Sequence, residues 1–79
     1  MPYNHEITGQ VIRQLREERG VTQEVLSGLA ALSRSHLADI ERGSVNPSVD
    51  TLWRIAEALG LKLSKLIERV EKESERGFE

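Results

Sequence analysis

Between Ser33 and Arg42 the chain sets Arg34, Ser35, His36, Ala38, Asp39 and Arg42 around two apolar residues, Leu37 and Ile40. If the segment is helical, Leu37 and Ile40 share one side, and Arg34, Ser35, Ala38 and Asp39 fall on the other. Those four side chains offer a forked donor, a hydroxyl, a methyl group and a carboxylate acceptor. Such a set suits recognition by directional hydrogen bonds rather than bond breaking. The chain has no cysteine. It also lacks a His and carboxylate coupled on an expected cleft, a glycine-rich phosphate loop and a cluster of metal-ligand types, so no enzymatic activity, cofactor or metal is expected. His5 stands alone near the start and is uninformative.

A recognition face of this kind must be held by neighbouring elements, and the apolar spacing describes them. With one Phe, one Tyr and one Trp, and no alternating run of β-branched residues, nothing reads as a strand. The first helix should run from about Thr8 to Arg19, with Val11, Ile12 and Leu15 on one face and Gly20 as its stop. Thr22 can cap a second helix from Gln23 to Leu29 or Ala30, and Ser33 a third from Arg34 to about Arg42. Val21 before Leu26, and Leu32 before Leu37, have the spacing at which an apolar residue ahead of a cap packs on the following turn. Two caps so close together make a tight helix-turn-helix. Gly43 closes the third helix, Ser44 to Pro47 reads as a loop, and Ser48 caps a fourth helix carrying Val49, Leu52, Trp53, Ala56 and Leu59 before Gly60. A fifth helix begins at about Leu63 with Leu63, Leu66, Ile67 and Val70 on its apolar face. Beyond it Glu71 to Glu79 is charged and expected to fray. One domain over residues 1–72 and a frayed tail over 73–79 follow, with Phe78 either a stray residue or a strand-like contact across a dimer.

The 79 residues allow a single small core, with 38% hydrophobic and 30% charged residues. Eleven basic against 13 acidic residues, a net charge of −2, argue against electrostatic attraction of polyanions by the chain as a whole. Any nucleic-acid site must depend on local placement of Lys and Arg. No stretch approaches the roughly 18–20 apolar residues of a membrane span, and MPYNHEITGQ lacks signal-peptide order, so a cytoplasmic location is expected.

The segment QLREERGVTQEVLSGLAALSRSHLADIERGSVNPSVDTLWRIAEAL resembles the helix-turn-helix domain of the XRE family, typified by phage Cro and repressor proteins. The resemblance rests on Arg16, the Thr22–Gln23 pair, Leu26, Leu32, Leu37, Ile40, the Glu41–Arg42–Gly43 run and Asn46–Pro47–Ser48, and covers most of the chain. Two positions depart from the family pattern. Ala31 stands at the turn position where the family usually has glycine, a strain of roughly 1 kcal/mol if φ is positive, and Ser27 replaces the usual alanine. The resemblance implies an all-α, compact five-helix bundle of the lambda-repressor-like DNA-binding type, with the second and third helices forming the helix-turn-helix.

It further implies that the third helix enters the DNA major groove, roughly 12 Å wide, with its first turn towards the bases. Arg34 would then donate two parallel bonds to guanine, Ser35 reach a base edge, Ala38 touch a thymine methyl, and Asp39 accept from a cytosine amine or pair along the helix with Arg42 or His36. Ser33 would cap the helix and also approach DNA. Thr22 and Gln23 at the start of the second helix, with His36, Arg42 and Asn46, would contact phosphates. An ion pair of Arg16 with Glu41 would join the first and third helices, a structural role.

Proteins of this type bind as two-fold dimers, and the expected dimer face is the stripe Leu63, Leu66, Ile67 and Val70, joined by Trp53. Double-stranded DNA is therefore the expected partner of a homodimeric, sequence-specific transcriptional regulator. The competing reading is a protein-interaction module, such as a bridging factor or an antitoxin acting mainly on a toxin.

Overall fold

Helices begin where a side-chain oxygen accepts a hydrogen bond from an amide of the first turn, and four residues do this at four helix starts. Asn4 accepts from the Glu6 amide, Thr22 from Val25, Ser33 from His36 and Ser48 from Thr51, at 2.8 to 3.1 Å. In the computed structural model, which describes residues 3–77, the helices are α1 (His5–Glu18), α2 (Gln23–Leu29), α3 (Arg34–Arg42), α4 (Val49–Ala58) and α5 (Leu63–Gly77). Among the described residues there is no strand.

The three caps anticipated at Thr22, Ser33 and Ser48 fall in place. The first helix, expected from Thr8, starts instead at His5, because Asn4 supplies the cap. Thr8 is fully buried, its hydroxyl bonded to the Tyr3 hydroxyl at 2.9 Å. At the other end α5 runs past residue 72 to Gly77, its outer turns carrying ion pairs of Glu73 with Arg69 and Arg76. Phe78 lies outside the described residues.

Four helix ends close in one way. The amides of Val21, Leu32, Ser44 and Leu61 return to the carbonyls of Arg16, Ser27, Asp39 and Ala56, and the residue before each has positive φ. Gly20, Gly43 and Gly60 fill that place after α1, α3 and α4, but Ala31 fills it after α2 at φ 58°. The departure at Ala31 thus falls on a strained position, and the turn keeps its backbone bonds despite it.

Ile7, Val11, Ile12 and Leu15 of α1 pack with Leu26, Leu37, Ile40, Leu52, Ile55 and Leu59 in one core. Half-buried Val21 and Leu32 pack against the same cluster. Helix α1 touches both α3 and α5, α2 touches α3 and α4, and α4 touches α5. Gly9 sets the separation of α1 and α3: a Cβ there would collide with the Ile40 carbonyl oxygen. Two arginines tie helix ends together, Arg19 Nε donating to the Leu59 carbonyl at 2.9 Å and Arg54 Nη1 to the Ala31 carbonyl at 3.2 Å.

The α5 stripe divides between two roles. Leu66 and Val70 are buried within the monomer, 0% and 4% exposed, packed in the core with residues of α1 and α4. They cannot belong to a solvent-facing dimer stripe. Leu63 and Ile67 are half-buried and Trp53 is exposed. These three line an open groove of about 810 Å³ between α4 and α5.

Candidate nucleic-acid interface

Helix α3 is fixed by its inner face before its outer face can matter. Leu37 and Ile40 are fully buried, and Glu41 beside them is 7% exposed. Glu41 receives a fork from Arg16, Nε to Oε2 at 2.7 Å and Nη2 to Oε1 at 3.0 Å. The remaining Arg16 nitrogen, Nη1, donates to the Val21 carbonyl at 2.8 Å. Hydrogen bonding to Glu41 raises the Arg16 pKa above the ordinary arginine range, outweighing the lowering effect of burial. A raised folded-state value on a base gives stability that is present below the unfolded pKa and is lost only at higher pH, so Arg16 holds its charge throughout the neutral range.

The same carboxylate reaches α2. Gln23 Nε2 donates to Glu41 Oε1 at 3.0 Å, which leaves the other amide hydrogen and the carbonyl of Gln23 unspent. This bond is not anticipated from the sequence, where Gln23 and Glu41 have separate roles. No local signal in the sequence announces it.

On the outer side, Arg34, Ser35 and His36 are exposed, and Ala38 and Asp39 are half-buried. Among the described residues Arg34 has no ion-pair partner, so its five donors are free. Arg42, also exposed, pairs with Asp39 one turn earlier. Ser33 and Thr22 are exposed caps whose hydroxyls are already accepting, with the O–H donor of each still to be placed. Asn46 is exposed in the loop after α3. All ten residues singled out from the sequence are therefore solvent-accessible.

Ser44, which sequence reasoning passed over, braces the end of α3: its amide and its hydroxyl both donate to the Asp39 carbonyl, at 3.0 and 3.1 Å. Gly43 makes that turn at φ 82°, and a Cβ there would press within 2.9 Å of Glu6 Cγ. The Gly–Ser pair following the helix was the available signal. Among the described residues, no group of three His, Cys, Asp or Glu converges as metal ligands, and no helix is long and apolar enough to cross a membrane.

A family described as helix-turn-helix matches residues 12–66. The immunity repressor protein of Bacillus phage phi105 is 51% identical over 59 residues, 75% of this chain and 41% of its own length. The control protein C.BamHI of Bacillus amyloliquefaciens is 38% identical over 61 residues, 76% of this chain and 75% of its own. The chain thus spans less than half of the phage repressor. Among solved structures, the wild-type restriction-modification controller protein C.Esp1396I superposes with a TM-score of 0.86 at 29% identity, covering 96% of this chain and 99% of that one.

Proposed function

Because the chain belongs to the helix-turn-helix family, we propose that it is a sequence-specific DNA-binding transcriptional regulator that acts as a homodimer, in the cytoplasm, on a two-fold symmetric operator. The observation that carries this reading is the outer face of α3. It presents Arg34, Ser35, Ala38 and Asp39 in one accessible row, while Leu37, Ile40 and Glu41 anchor the opposite side.

The row enters the major groove, where Arg34 takes the O6 and N7 edge of guanine and the shorter Ser35 and Ala38 read beside it. Ser33 approaches the same groove edge from the start of α3. Gln23 grips a backbone phosphate through the amide hydrogen that Glu41 leaves free, with Thr22, His36, Arg42 and Asn46 along the same backbone. Family membership, two relatives named as a repressor and a control protein, and the fold shared with a restriction-modification controller support this assignment.

One such helix reads too few base pairs, so the operator is read by two copies on half-sites about 34 Å apart. The dimer face assigned here is the α4–α5 groove, with Trp53, Leu63 and Ile67 as its apolar floor. Lys62 lies at its margin with Glu57 and Glu71. A two-fold axis through the groove would set the lysine of one copy against a glutamate of the other, the self-complementarity that an isologous interface needs.

Selection of bound duplexes from a random library at fixed moderate salt, followed by a salt titration on the winner, tests the proposal. A two-fold symmetric motif with half-sites one turn apart is expected, with affinity falling steeply as salt rises. A folded protein that enriches no motif would overturn it in favour of a protein partner.

A further inference from the structure

We infer that Asp39 and Arg42 work as one exchangeable unit that couples a phosphate contact to the identity of a base, an inference that rests on the DNA-binding reading of α3. In the free protein the two side chains pair with each other across one helical turn, on the same outer side as Arg34 and Ser35. The pair is solvated, with Arg42 64% and Asp39 39% exposed along their side chains, so it is weak and exchanges easily. The backbone beneath it is not loose: the Asp39 carbonyl is held by both the amide and the hydroxyl of Ser44.

A paired carboxylate can only accept hydrogen bonds. In the major groove the donors it can find are the exocyclic amines of cytosine and adenine. The adenine amine sits beside the N7 acceptor of its own ring, which repels the second carboxylate oxygen, whereas on cytosine the amine is the ring's only hydrogen-bonding group in that groove. Asp39 therefore selects cytosine.

Arg42 sets the terms of that selection. On the correct sequence Asp39 gives up Arg42 for the cytosine amine, and the released guanidinium takes a phosphate. On an incorrect one Asp39 finds no amine free of a neighbouring acceptor, keeps Arg42, and the phosphate contact is lost with the base contact. An unpaired carboxylate among phosphates is thus avoided on either sequence, and the acidic residue on a DNA-facing surface has a use.

Library selection and measured affinities with the full chain and two variants separate the alternatives. The wild type should prefer cytosine at one symmetric position by about 5- to 150-fold, the value of a good base contact. In Asp39→Asn the side chain both donates and accepts, so the preference there should move to adenine. Arg42→Gln should weaken binding to the preferred sequence most and discriminate less sharply at the Asp39 position, because only the matched complexes lose an Arg42 phosphate contact. A motif unchanged in Asp39→Asn, or an Arg42→Gln variant weakened equally on all sequences, would overturn the exchange while leaving the regulator reading standing. Absence of any motif with wild type would remove that reading and the exchange with it.

Discussion

Replacing Arg16 with Met probes the joint on which α3 hangs. The Glu41 and Arg16 side chains are 3% and 12% exposed, so loss of the arginine leaves a carboxylate sealed in the protein with only the Gln23 amide as partner. Breaking a buried pair on one side costs about 3–5 kcal/mol. A domain of this size has roughly 4–12 kcal/mol in all, and each kcal/mol shifts its Tm by about 4–8 °C. The single variant should therefore melt about 12–40 °C lower. Glu41→Leu alone should suffer comparably, since the Arg16 fork loses its acceptor. The double variant Arg16→Met/Glu41→Leu should recover most of the loss, because replacing both charges with apolar groups is often close to neutral. What it cannot recover is the Val21 carbonyl, deprived of its Arg16 donor, which costs about 1–3 kcal/mol. Urea denaturation monitored by circular dichroism, with m-values checked for constancy, measures all three. A double variant that loses as much as the two single variants combined would refute the account. The double variant should also fold yet bind all DNA sequences more weakly, because Gln23 has lost its anchor.

Ala31→Gly should raise stability by about 0.5–1 kcal/mol by relieving the positive φ, and an unchanged denaturation midpoint would contradict strain at the turn. Gly9→Ala should lower it by about 1–3 kcal/mol, since the new Cβ meets backbone at Ile40 rather than a movable side chain. Trp53→Ala with Ile67→Asp should produce folded monomers in sedimentation, and a persistent dimer would place the interface outside the α4–α5 groove. Arg34→Ala should cost about 1–3 kcal/mol per half-site and relax one symmetric base pair, whereas Gln23→Ala should weaken all sequences alike; binding to the selected operator and to single-base variants distinguishes the two.

Local signals in the sequence carried most of the helix boundaries. Thr22, Ser33 and Ser48 announce starts, Gly43 and Gly60 announce stops, and each acts within one turn of its own position. Thr8 misled because a threonine ahead of an apolar run has the composition of a cap, while its actual environment depends on Tyr3 and on tertiary packing. The stripe on α5 misled for a related reason. Periodicity identifies a face that must be covered, but Leu66 and Val70 carry no mark saying whether the cover is α1 of the same chain or a second copy. The accessible face of α3 was legible from Leu37 and Ile40 alone. The Gln23–Glu41 bond was not, because it joins residues on different helices whose meeting is decided by the turn between them.

Glu41 ties α3 to α1 through Arg16 and to α2 through Gln23, while Gly9 brings the α1 backbone against Ile40. A helix gripped on two sides resists tilting. In the proposed complex, adaptation would then fall to the DNA, whose bending and groove width vary with sequence, so base pairs that no side chain touches would acquire an influence on affinity through their stiffness. On the proposed two-fold operator, such a protein would discriminate among spacers as well as among half-sites.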